Sequence, residues 1–149
     1  MRLLIQRVTR ASVTVEDTIV GSIDNGLLVF LGVGHNDSEV DVEKLTDKLL
    51  KMRLFEDEAG KMNLDIAQIN GSILVVSQFT LFADTRKGNR PSFIEAARPE
   101  LAERLYRQFI EKLRSLLGTE RVAEGQFGAM MDVELVNDGP VTIWVDNCL

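Results

Sequence analysis

Three hydrogen-bonding side chains, Ser77, Gln78 and Thr80, lie inside a largely apolar stretch, ILVVSQFTLFA at residues 73–83. The stretch is rich in β-branched and aromatic residues and contains neither Pro nor Gly, which predicts a single strand with apolar side chains on both faces. Polar groups in such a strand need hydrogen-bond partners, and a cluster of them indicates a functional site. From these residues alone, a strand that leaves the core and satisfies its polar groups on neighbouring backbone is an equally good interpretation.

The chain offers few of the side chains on which common hydrolytic mechanisms depend. Its one histidine, His35, lies in the polar segment HNDSE, which predicts a solvated side chain, so a Ser-His-Asp triad is not expected. Its one cysteine, Cys148, excludes an internal disulfide framework and a cysteine-rich zinc site. Neither a metal-ligand cluster nor a phosphate-binding Gly-x-x-x-x-Gly-Lys run occurs in the sequence, and we predict no metal and no cofactor.

A basic segment, DTRKGNRP at residues 84–91, follows the apolar stretch and contains Arg86, Lys87 and Arg90. It is either a solvated connector or a flap beside a site for a polyanion. The formal net charge of −6 argues against an extensive surface that coats nucleic acid, because such a surface makes many Lys and Arg contacts. A local basic rim around one narrow pocket remains compatible with this charge.

Two glycine-containing turns near the end of the chain also stand out. GQFG at residues 125–128 precedes MMDVELV and places Phe127 and Met130 beside flexible backbone. NDGP at residues 137–140 interrupts two strand-like runs and has an ordinary turn composition. Since only about 5–6% of X–Pro bonds in folded proteins are cis, a plain trans turn is the expectation without further information.

Length and composition predict one soluble globular domain spanning residues 1–149, and the predicted pattern of strands and two helices places it in the α/β class. The chain is 45% hydrophobic and 27% charged, which is ordinary for a globular protein. No apolar run approaches the roughly 20 residues that span a bilayer, and the N-terminus lacks the features of a signal peptide, so a cytoplasmic protein without membrane contact is expected.

The pattern of apolar residues and turn signals predicts strands at 2–15 and 18–23 joined by a turn near Glu16-Asp17, followed by an Asn25-Gly26 hairpin into LLVFLGVG. It predicts a helix over 39–54 capped by Ser38, and a helix over 99–117 with Pro99 at or near its first turn and Gly118 as its stop. A turn at Asn70-Gly71 and strands at 121–123, 129–136 and 141–145 complete the prediction.

Several segments resemble one known family, that of D-aminoacyl-tRNA deacylase. They are QRVTRASVTV at 6–15, SQFTLFAD at 77–84, KGNRPSF at 87–93, GQFGAMM at 125–131 and NDGPVTIWVD at 137–146. The resemblance covers essentially the whole chain in the family's order, and the pair formed by SQFTLFA and NDGPVT is highly specific. The closing residues 147–149 match no pattern of the family.

The resemblance implies a three-layer ββα sandwich with a largely antiparallel sheet and both helices on one side. It also implies a homodimer in which a Gly-cisPro dipeptide, Gly139-Pro140 here, reaches into the partner's active site and rejects L-aminoacyl groups. Arg7 matches an arginine of the opening motif and would brace that dipeptide, although an ordinary surface or strand-edge arginine is an equally good interpretation. The implied substrate is aminoacylated tRNA.

The implied catalytic residues are Ser77, Gln78, Phe79 and Thr80. Backbone N–H groups of Phe79 and Thr80 would stabilise the oxyanion, while the substrate's own ribose 2′-hydroxyl assists the attacking water. Phe127 and Met130 are expected to contact the terminal adenosine, with core packing as the alternative, and the three cations of the basic segment are expected to contact tRNA phosphates.

Three alternatives remain open at this point. Thr80 can be a covalent nucleophile, although no neighbouring base is evident to activate its hydroxyl. The protein can also be a non-catalytic dimer that binds the end of an RNA, or a structural dimerisation domain in which NDGP is only a turn.

Overall fold

Strand β1 (Arg2–Val15) organises the sheet, because three other strands pair with it. The computed structural model describes residues 1–147, so that Cys148 and Leu149 lie outside the described residues. Residues 11–15 of β1 pair with β2 (Thr18–Ile23), and residues 2–8 pair with β3 (Gly26–Gly32), both antiparallel. The predicted first two strands are therefore confirmed with their bounds.

The predicted hairpin at Asn25-Gly26 is wrong. Since β2 and β3 are both antiparallel to β1, they run in the same direction and do not pair with each other. Gly26 is instead required by close packing, because a Cβ at this position would lie 1.8 Å from the carbonyl oxygen of Ser72. The Asn-Gly dipeptide thus joins two consecutive partners of one long strand.

The other elements, in chain order, are α1 (Glu39–Lys51), β4 (Phe55–Glu56), β5 (Met62–Leu64), β6 (Ser72–Ser77), a 3₁₀ turn (Phe79–Phe82), α2 (Pro99–Leu117), a second 3₁₀ turn (Thr119–Arg121), β7 (Val122–Glu124) and β8 (Asp132–Asp146).

The main sheet is mixed and curls into a nearly closed barrel. Its strand order is β2-β1-β3-β6-β7, and β8 also pairs with β1. The three pairings of β1 are antiparallel, whereas both pairings of β6 are parallel, so the expected largely antiparallel sheet is corrected to a mixed one. The β2 backbone closes upon β7, since a Cβ on Gly21 would lie 2.4 Å from the carbonyl oxygen of Glu124. The predicted α/β class with two helices is confirmed.

Two hydrophobic clusters hold this arrangement together. Leu28, Leu74 and Val76 belong to a cluster enclosed by the curled sheet. Their neighbours along the same strands, such as Val29 and Val75, point the other way and pack against both helices. Both helices therefore cover the same face of the sheet, as predicted.

The helix boundaries follow from local signals. In α1, the carboxylate of Asp41 accepts hydrogen bonds from the backbone N–H and the hydroxyl of Ser38, which is the predicted N-cap. The helix ends at Lys51, before the predicted residue 54, because Met52 is already extended and the chain continues into β4. The second helix matches the predicted 99–117, and Gly118 ends it with a φ of +103°.

The two strand predictions nearest the candidate motifs need correction. The expected strand over 73–83 ends at Ser77, because its pairing with β3 ends there, two residues after its pairing with β7 ends, and the backbone closes a 3₁₀ turn instead. Conversely, the separate strands expected at 129–136 and 141–145 form one strand, β8, because both halves pair with β1. No helix within residues 1–147 is long and apolar enough to cross a membrane.

Candidate active site

The candidate site lies where the parallel strands β3, β6 and β7 end. Parallel strands bring their carboxyl ends to one edge of a sheet, so the segments that follow them become neighbours. Here those segments begin at Val33, Gln78 and Gly125. The structure thereby brings the SQFT motif (residues 77–80) close to the GQFG loop (residues 125–128), although Thr80 and Gly125 are 45 positions apart in the sequence.

The SQFT motif forms the 3₁₀ turn directly after β6. The backbone N–H of Gln78 still donates to the carbonyl oxygen of Leu31 at 2.8 Å, after which Leu81 N–H donates to the carbonyl oxygen of Gln78 and closes the turn. Two glycines of the neighbouring segment leave room for it. A Cβ on Gly32 would lie 3.0 Å from the Gln78 carbonyl oxygen, and one on Gly34 would lie 2.8 Å from the Phe82 ring.

Two backbone N–H groups at the start of this turn have no hydrogen-bond partner among the described residues. In the part of the chain that the structure describes, neither the Phe79 nor the Thr80 N–H makes a turn, loop or cap hydrogen bond, and the first N–H groups of a helical turn have no partner within it. The Phe79 side chain is 58% exposed and the Thr80 side chain is also exposed. The side-chain amide of Gln78 donates to the Thr80 hydroxyl. The turn therefore offers two adjacent backbone N–H groups to a ligand.

The basic segment begins beside this turn. Backbone hydrogen bonds in both directions between Asp84 and Ser92 fix its base, and the ring of Phe93 packs edge-on against Phe79 with 5.1 Å between centroids. Side-chain hydrogen bonds from Arg86 hold the pKa of the Asp84 carboxyl well below its usual range, and Asp84 in turn raises the pKa of Arg86.

The three predicted phosphate contacts are consequently not equivalent. Arg86 already pairs with Asp84 at 2.7 Å. Lys87 and Arg90 are exposed, and neither forms an ion pair with another residue in the 1–147 range. Only these two present uncompensated positive charge at the tip of the segment.

Phe127 and Met130 occupy different environments in the loop after β7. Phe127 is half-buried, packs against the helix-side cluster, and lies 5.6 Å from the Tyr106 ring between centroids. Burial raises the pKa of Tyr106, whose hydroxyl donates to the carbonyl oxygen of Val75. Met130 is 93% exposed. Phe127 thus anchors the loop, whereas Met130 is open to a ligand.

Gly139 and Pro140 form a second exposed feature, which we call the β8 bulge (residues 138–141). Gln6 pairs with Thr142 and Val8 pairs with Asn137, so these four residues of β8 lie opposite the single residue Arg7. The peptide bond between Gly139 and Pro140 is cis, whereas the turn composition alone favoured trans.

Arg7 lies beneath the β8 bulge and is not a surface residue. It is 5% exposed, its Nε donates to the Asp138 carbonyl oxygen at 2.9 Å, and its Nη1 donates to the Leu54 carbonyl oxygen at 2.7 Å. The surface-arginine interpretation is therefore wrong. Arg7 contacts the residue before the dipeptide, and no hydrogen bond to the carbonyls of the dipeptide itself is formed by the described side chains.

Comparison with known proteins identifies the chain's relatives. The family model for D-Tyr-tRNA(Tyr) deacylase matches residues 4–146. The D-aminoacyl-tRNA deacylase of Bacillus pumilus (strain SAFR-032) is 55% identical over 147 residues, covering 99% of each chain. That of Thermomicrobium roseum is 58% identical over 147 residues, covering 99% of this chain and 94% of the relative.

The chain belongs to the D-Tyr-tRNA(Tyr) deacylase family. It is accordingly a D-aminoacyl-tRNA deacylase, a hydrolase, as the sequence resemblance implied. A solved structure titled c-Myc DNA Unwinding Element Binding Protein is 42% identical, with a TM-score of 0.94 over 99% of both chains. A probable eukaryotic D-amino acid tRNA deacylase has a TM-score of 0.87 over 97% of both chains at 17% identity, which shows the shared fold.

Within one chain of this deacylase, the SQFT motif and the β8 bulge lie apart. Ser77 lies on β6 and Pro140 on β8, with β3 and β1 between them, so three strand spacings, roughly 14 Å, separate the two strands. Along the strands, Ser77 is aligned with Leu31 and Leu3, whereas the β8 bulge is aligned with Arg7. The deacylase therefore exposes two separate features.

Two residues with clear structural roles were missed by sequence reasoning. The side chain of Asn137 accepts from the Val141 N–H at 2.8 Å and donates to its carbonyl oxygen at 3.0 Å, which closes the β8 bulge. Its position at the start of the NDGP turn was an available signal, since Asn commonly bonds backbone across turns. Arg2 donates to the Leu81 carbonyl oxygen at 2.9 Å, and no local pattern indicates this contact.

His35 is exposed, as predicted, and its Nδ1 lies 3.2 Å from the carbonyl oxygen of Glu95. Within residues 1–147, no group of three or more His, Cys, Asp or Glu side chains is placed to hold a metal ion.

Proposed function

We propose that this protein hydrolyses the ester bond of D-aminoacyl-tRNA, releases free tRNA and the D-amino acid, and works as a homodimer whose active sites lie between subunits. The observation that carries the proposal is the exposed 3₁₀ turn with two adjacent N–H groups, in a chain of the deacylase family.

Backbone N–H groups of Phe79 and Thr80 stabilise the developing oxyanion. An aminoacyl ester is already activated, so its hydrolysis depends on positioning and on charge stabilisation more than on a strong nucleophile. The two N–H groups belong to a turn that is fixed at its start by the Gln78–Leu31 hydrogen bond. Ser77 and Gln78 orient this backbone, and the substrate's ribose 2′-hydroxyl assists the attacking water.

The Thr80 hydroxyl is not the nucleophile in this proposal. Its polar neighbour is the side-chain amide of Gln78, and an amide is not a base in either orientation. A threonine hydroxyl without a neighbouring base is a weak nucleophile. Thr80→Val should therefore retain substantial deacylase activity, whereas near-complete loss in a folded variant would support covalent chemistry instead.

The β8 bulge of one subunit completes the active site of the other. If both motifs serve a single reaction, one chain cannot supply them, because β3 and β1 separate β6 from β8. A second copy supplies the missing element. The exposed apolar side chains Phe79, Trp144 and Val136 provide surface that such a contact can bury.

The enzyme distinguishes D- from L-aminoacyl groups by steric exclusion. When the ester carbonyl and the α-amino group are held, inversion at the α-carbon exchanges the hydrogen and the side chain. The main chain of Gly139 and Pro140 then forms a wall that accepts hydrogen and rejects a Cβ. Glycine has no Cβ, so glycyl-tRNA should also be hydrolysed; an enzyme that cleaves D-tyrosyl-tRNA but leaves glycyl-tRNA intact would contradict a purely steric filter.

The remaining contacts position the tRNA end. Met130 and the exposed edge of Phe127 contact the terminal adenosine, and Lys87, Arg90 and Arg86 contact phosphates near the acceptor end. The basic segment is joined to the catalytic turn through the Phe79–Phe93 ring contact. Residues 79–93 therefore contain both the groups that bind the acceptor end of the tRNA and the turn that positions the ester.

Matched D- and L-tyrosyl-tRNA test the proposed activity directly. Stereoselective release of D-tyrosine by the purified protein supports the enzyme. Tight binding without release would instead support the non-catalytic RNA-end-binding alternative, and neither binding nor release would support the structural dimerisation alternative.

Mixed dimers test the cross-subunit site. One variant carries Phe79→Pro, which removes a turn N–H, and the other carries Gly139→Ala, which alters the β8 bulge. If sites form between subunits, each variant alone is nearly inactive, and co-refolded mixtures regain activity because a heterodimer contains one unaltered site. Failure to regain activity in verified heterodimers would place both motifs in one chain's site and contradict the proposal.

A further inference from the structure

Arg2 connects the catalytic turn to the strand pair β1–β8. Its Nη1 donates to the carbonyl oxygen of Leu81 at 2.9 Å, and its Nε donates to the carboxylate of Asp146 at 2.9 Å. Its guanidinium carbon lies 4.3 Å from the centroid of the Phe82 ring and 5.7 Å from that of Trp144. One side chain thus makes two hydrogen bonds and contacts two aromatic rings.

We infer that Arg2 is a positioning residue for the deacylase reaction, which holds the turn Phe79–Phe82 so that the N–H groups of Phe79 and Thr80 point at the substrate ester. The inference rests on the proposed function, because it concerns the same two N–H groups. It assigns Arg2 no contact with the substrate.

The position of Arg2 in the sheet explains how it reaches the turn. Arg2 pairs with Gly32 of β3 and with Asp146 of β8. Gly32 is the residue whose missing Cβ lets the turn pack against the sheet, with the Gln78 carbonyl oxygen 3.0 Å from the position a Cβ would take. The turn therefore packs against Gly32 and is held from the adjacent strand by Arg2.

The hydrogen bond to the Leu81 carbonyl has a strong influence on the orientation of the turn. The last carbonyls of a helical turn have no partner inside it, and a cation near them is favourable. A four-residue turn has few internal hydrogen bonds, so its orientation depends on external contacts at its two ends. At the start, Gln78 donates to Leu31 of β3; at the end, Leu81 accepts from Arg2 of β1.

The chemistry of the arginine side chain suits this role. A planar guanidinium can stack on Phe82 while donating in its own plane to two separate acceptors. A lysine ammonium is a compact donor without a planar face, and it cannot reproduce the stack together with both hydrogen bonds. Replacing Arg2 should therefore loosen the turn while the surrounding sheet remains paired.

The test compares Arg2→Met and Arg2→Lys with the wild-type protein in steady-state hydrolysis of D-tyrosyl-tRNA. Arg107→Met is the matched control, because Arg107 is an exposed arginine that pairs with Glu103 on α2, away from the turn. For Arg2→Met we expect kcat to fall about 10- to 100-fold with KM within about twofold of wild type, as for misplaced catalytic donors. Arg2→Lys should be intermediate, and Arg107→Met should keep both constants.

Two measurements separate positioning from a role in overall stability. Thermal unfolding of Arg2→Met should resemble that of Arg107→Met, and the amide NMR signals that move should be those of residues 79–82. An unchanged kcat in folded Arg2→Met, an equal loss of kcat in Arg107→Met, or unfolding of both Arg2 variants would overturn the inference.

Failure of the proposed function gives a different result. If wild-type protein does not release D-tyrosine, the activity itself is wrong. If it does, but replacement of Thr80 by its α-hydroxy acid, which removes the backbone N–H, leaves kcat unchanged, the oxyanion assignment is wrong. The Arg2 inference alone fails when the α-hydroxy acid lowers kcat and Arg2→Met does not.

Discussion

The guanidinium of Arg7 donates a hydrogen bond to the carbonyl oxygen of Asp138 across 131 positions of sequence, with 2.9 Å between Nε and the oxygen. The same side chain donates to the carbonyl oxygen of Leu54. A buried arginine therefore fixes the backbone at the start of the β8 bulge to the segment that follows α1. A partly exposed carboxylate of Asp138, 3.4 Å from Nε, adds a weaker contact.

Arg7→Lys should destabilise the β8 bulge, because a lysine cannot donate to the Asp138 and Leu54 carbonyl oxygens in the same geometry. We expect the free energy of unfolding to fall by about 2 kcal/mol, the size of one lost hydrogen bond to a charged group. Preference for D- over L-tyrosyl-tRNA should fall more than D-tyrosyl-tRNA hydrolysis itself. Denaturant unfolding and paired assays of both esters measure these changes.

Asp138→Asn is the control for that experiment, since it keeps the carbonyl acceptor and removes only the carboxylate. It should change stability and selectivity little, as expected for an ion pair with one exposed partner. If Asp138→Asn has the same effect as Arg7→Lys, the ion pair rather than the backbone hydrogen bond is what holds the bulge.

Gly139→Ala should lower both the stability of the protein and its deacylase activity. Gly139 has a φ of +148°, which L side chains rarely adopt, and an added Cβ would lie 2.7 Å from the Val141 nitrogen. A loss of about 1–3 kcal/mol in unfolding free energy is expected, together with loss of D-tyrosyl-tRNA hydrolysis. Gly60→Ala is the comparison, because Gly60 also has positive φ but has open space around a Cβ.

The Gly60 variant should be destabilised by about 1 kcal/mol from its backbone conformation alone and should remain active. Equal activity of the two variants would mean that the β8 bulge does not take part in the reaction, which would contradict the proposed chiral filter.

Removing a positive charge from the basic segment should affect KM more at Lys87 and Arg90 than at Arg86. Lys87→Gln and Arg90→Gln should each raise KM for aminoacyl-tRNA and reduce the slope of log KM against log salt by up to about one unit. Arg86→Gln should do less, because Asp84 already compensates that charge. KM measured across a salt series provides the test.

Asp84→Asn is the complementary variant, since it releases Arg86 from its ion pair. It should lower KM and steepen the salt dependence. If none of these four variants changes KM or its salt dependence, the basic segment does not contact phosphates.

Thr46→Val should leave stability unchanged or increase it. Thr46 is fully buried on α1, and its hydroxyl has no hydrogen-bond partner among the described residues. Replacing an unpaired buried hydroxyl by a methyl group removes a desolvation cost of about 1 kcal/mol. Thermal and denaturant unfolding of the variant measure the change.

Thr46→Ser is the matched control, because it keeps the hydroxyl and deletes the methyl group. It should lose about 0.8 kcal/mol, the value of one buried methyl group. A destabilised Thr46→Val protein would indicate that a hydrogen bond to the hydroxyl forms in solution.

Local sequence signals predicted the elements whose structure is decided within a few residues. Apolar spacing and the Ser38 cap located α1, while Pro99 and Gly118 bounded α2, because helical hydrogen bonds and caps join near neighbours in sequence. The turn at Glu16-Asp17 between β1 and β2 was equally local; both residues have positive φ. Each of these predictions depended on interactions that span at most one or two helical turns.

Strand ends and strand pairing were predicted less well. Apolar character continues through Phe79 and Leu81, yet β6 ends at Ser77, where its pairing with β3 ends and two residues after its pairing with β7 ends. Asn25-Gly26 has the composition of a hairpin, but the strands on either side both pair with β1. A strand is completed by its neighbours, and the residues that identify those neighbours lie far away in the sequence.

By itself the sequence determined the helices, the first strands and the motifs that identify the family. Only the tertiary structure decided that the SQFT motif forms a turn whose first two N–H groups have no partner among the described residues, and that the β8 bulge lies three strands away. It also decided that Arg2 donates a hydrogen bond to the turn and Arg7 donates one to the β8 bulge. The physical reason is that Arg2 and Leu81 are 79 positions apart, and Arg7 and Asp138 131 positions apart. Contacts over such separations arise from sheet register, which no local periodicity encodes.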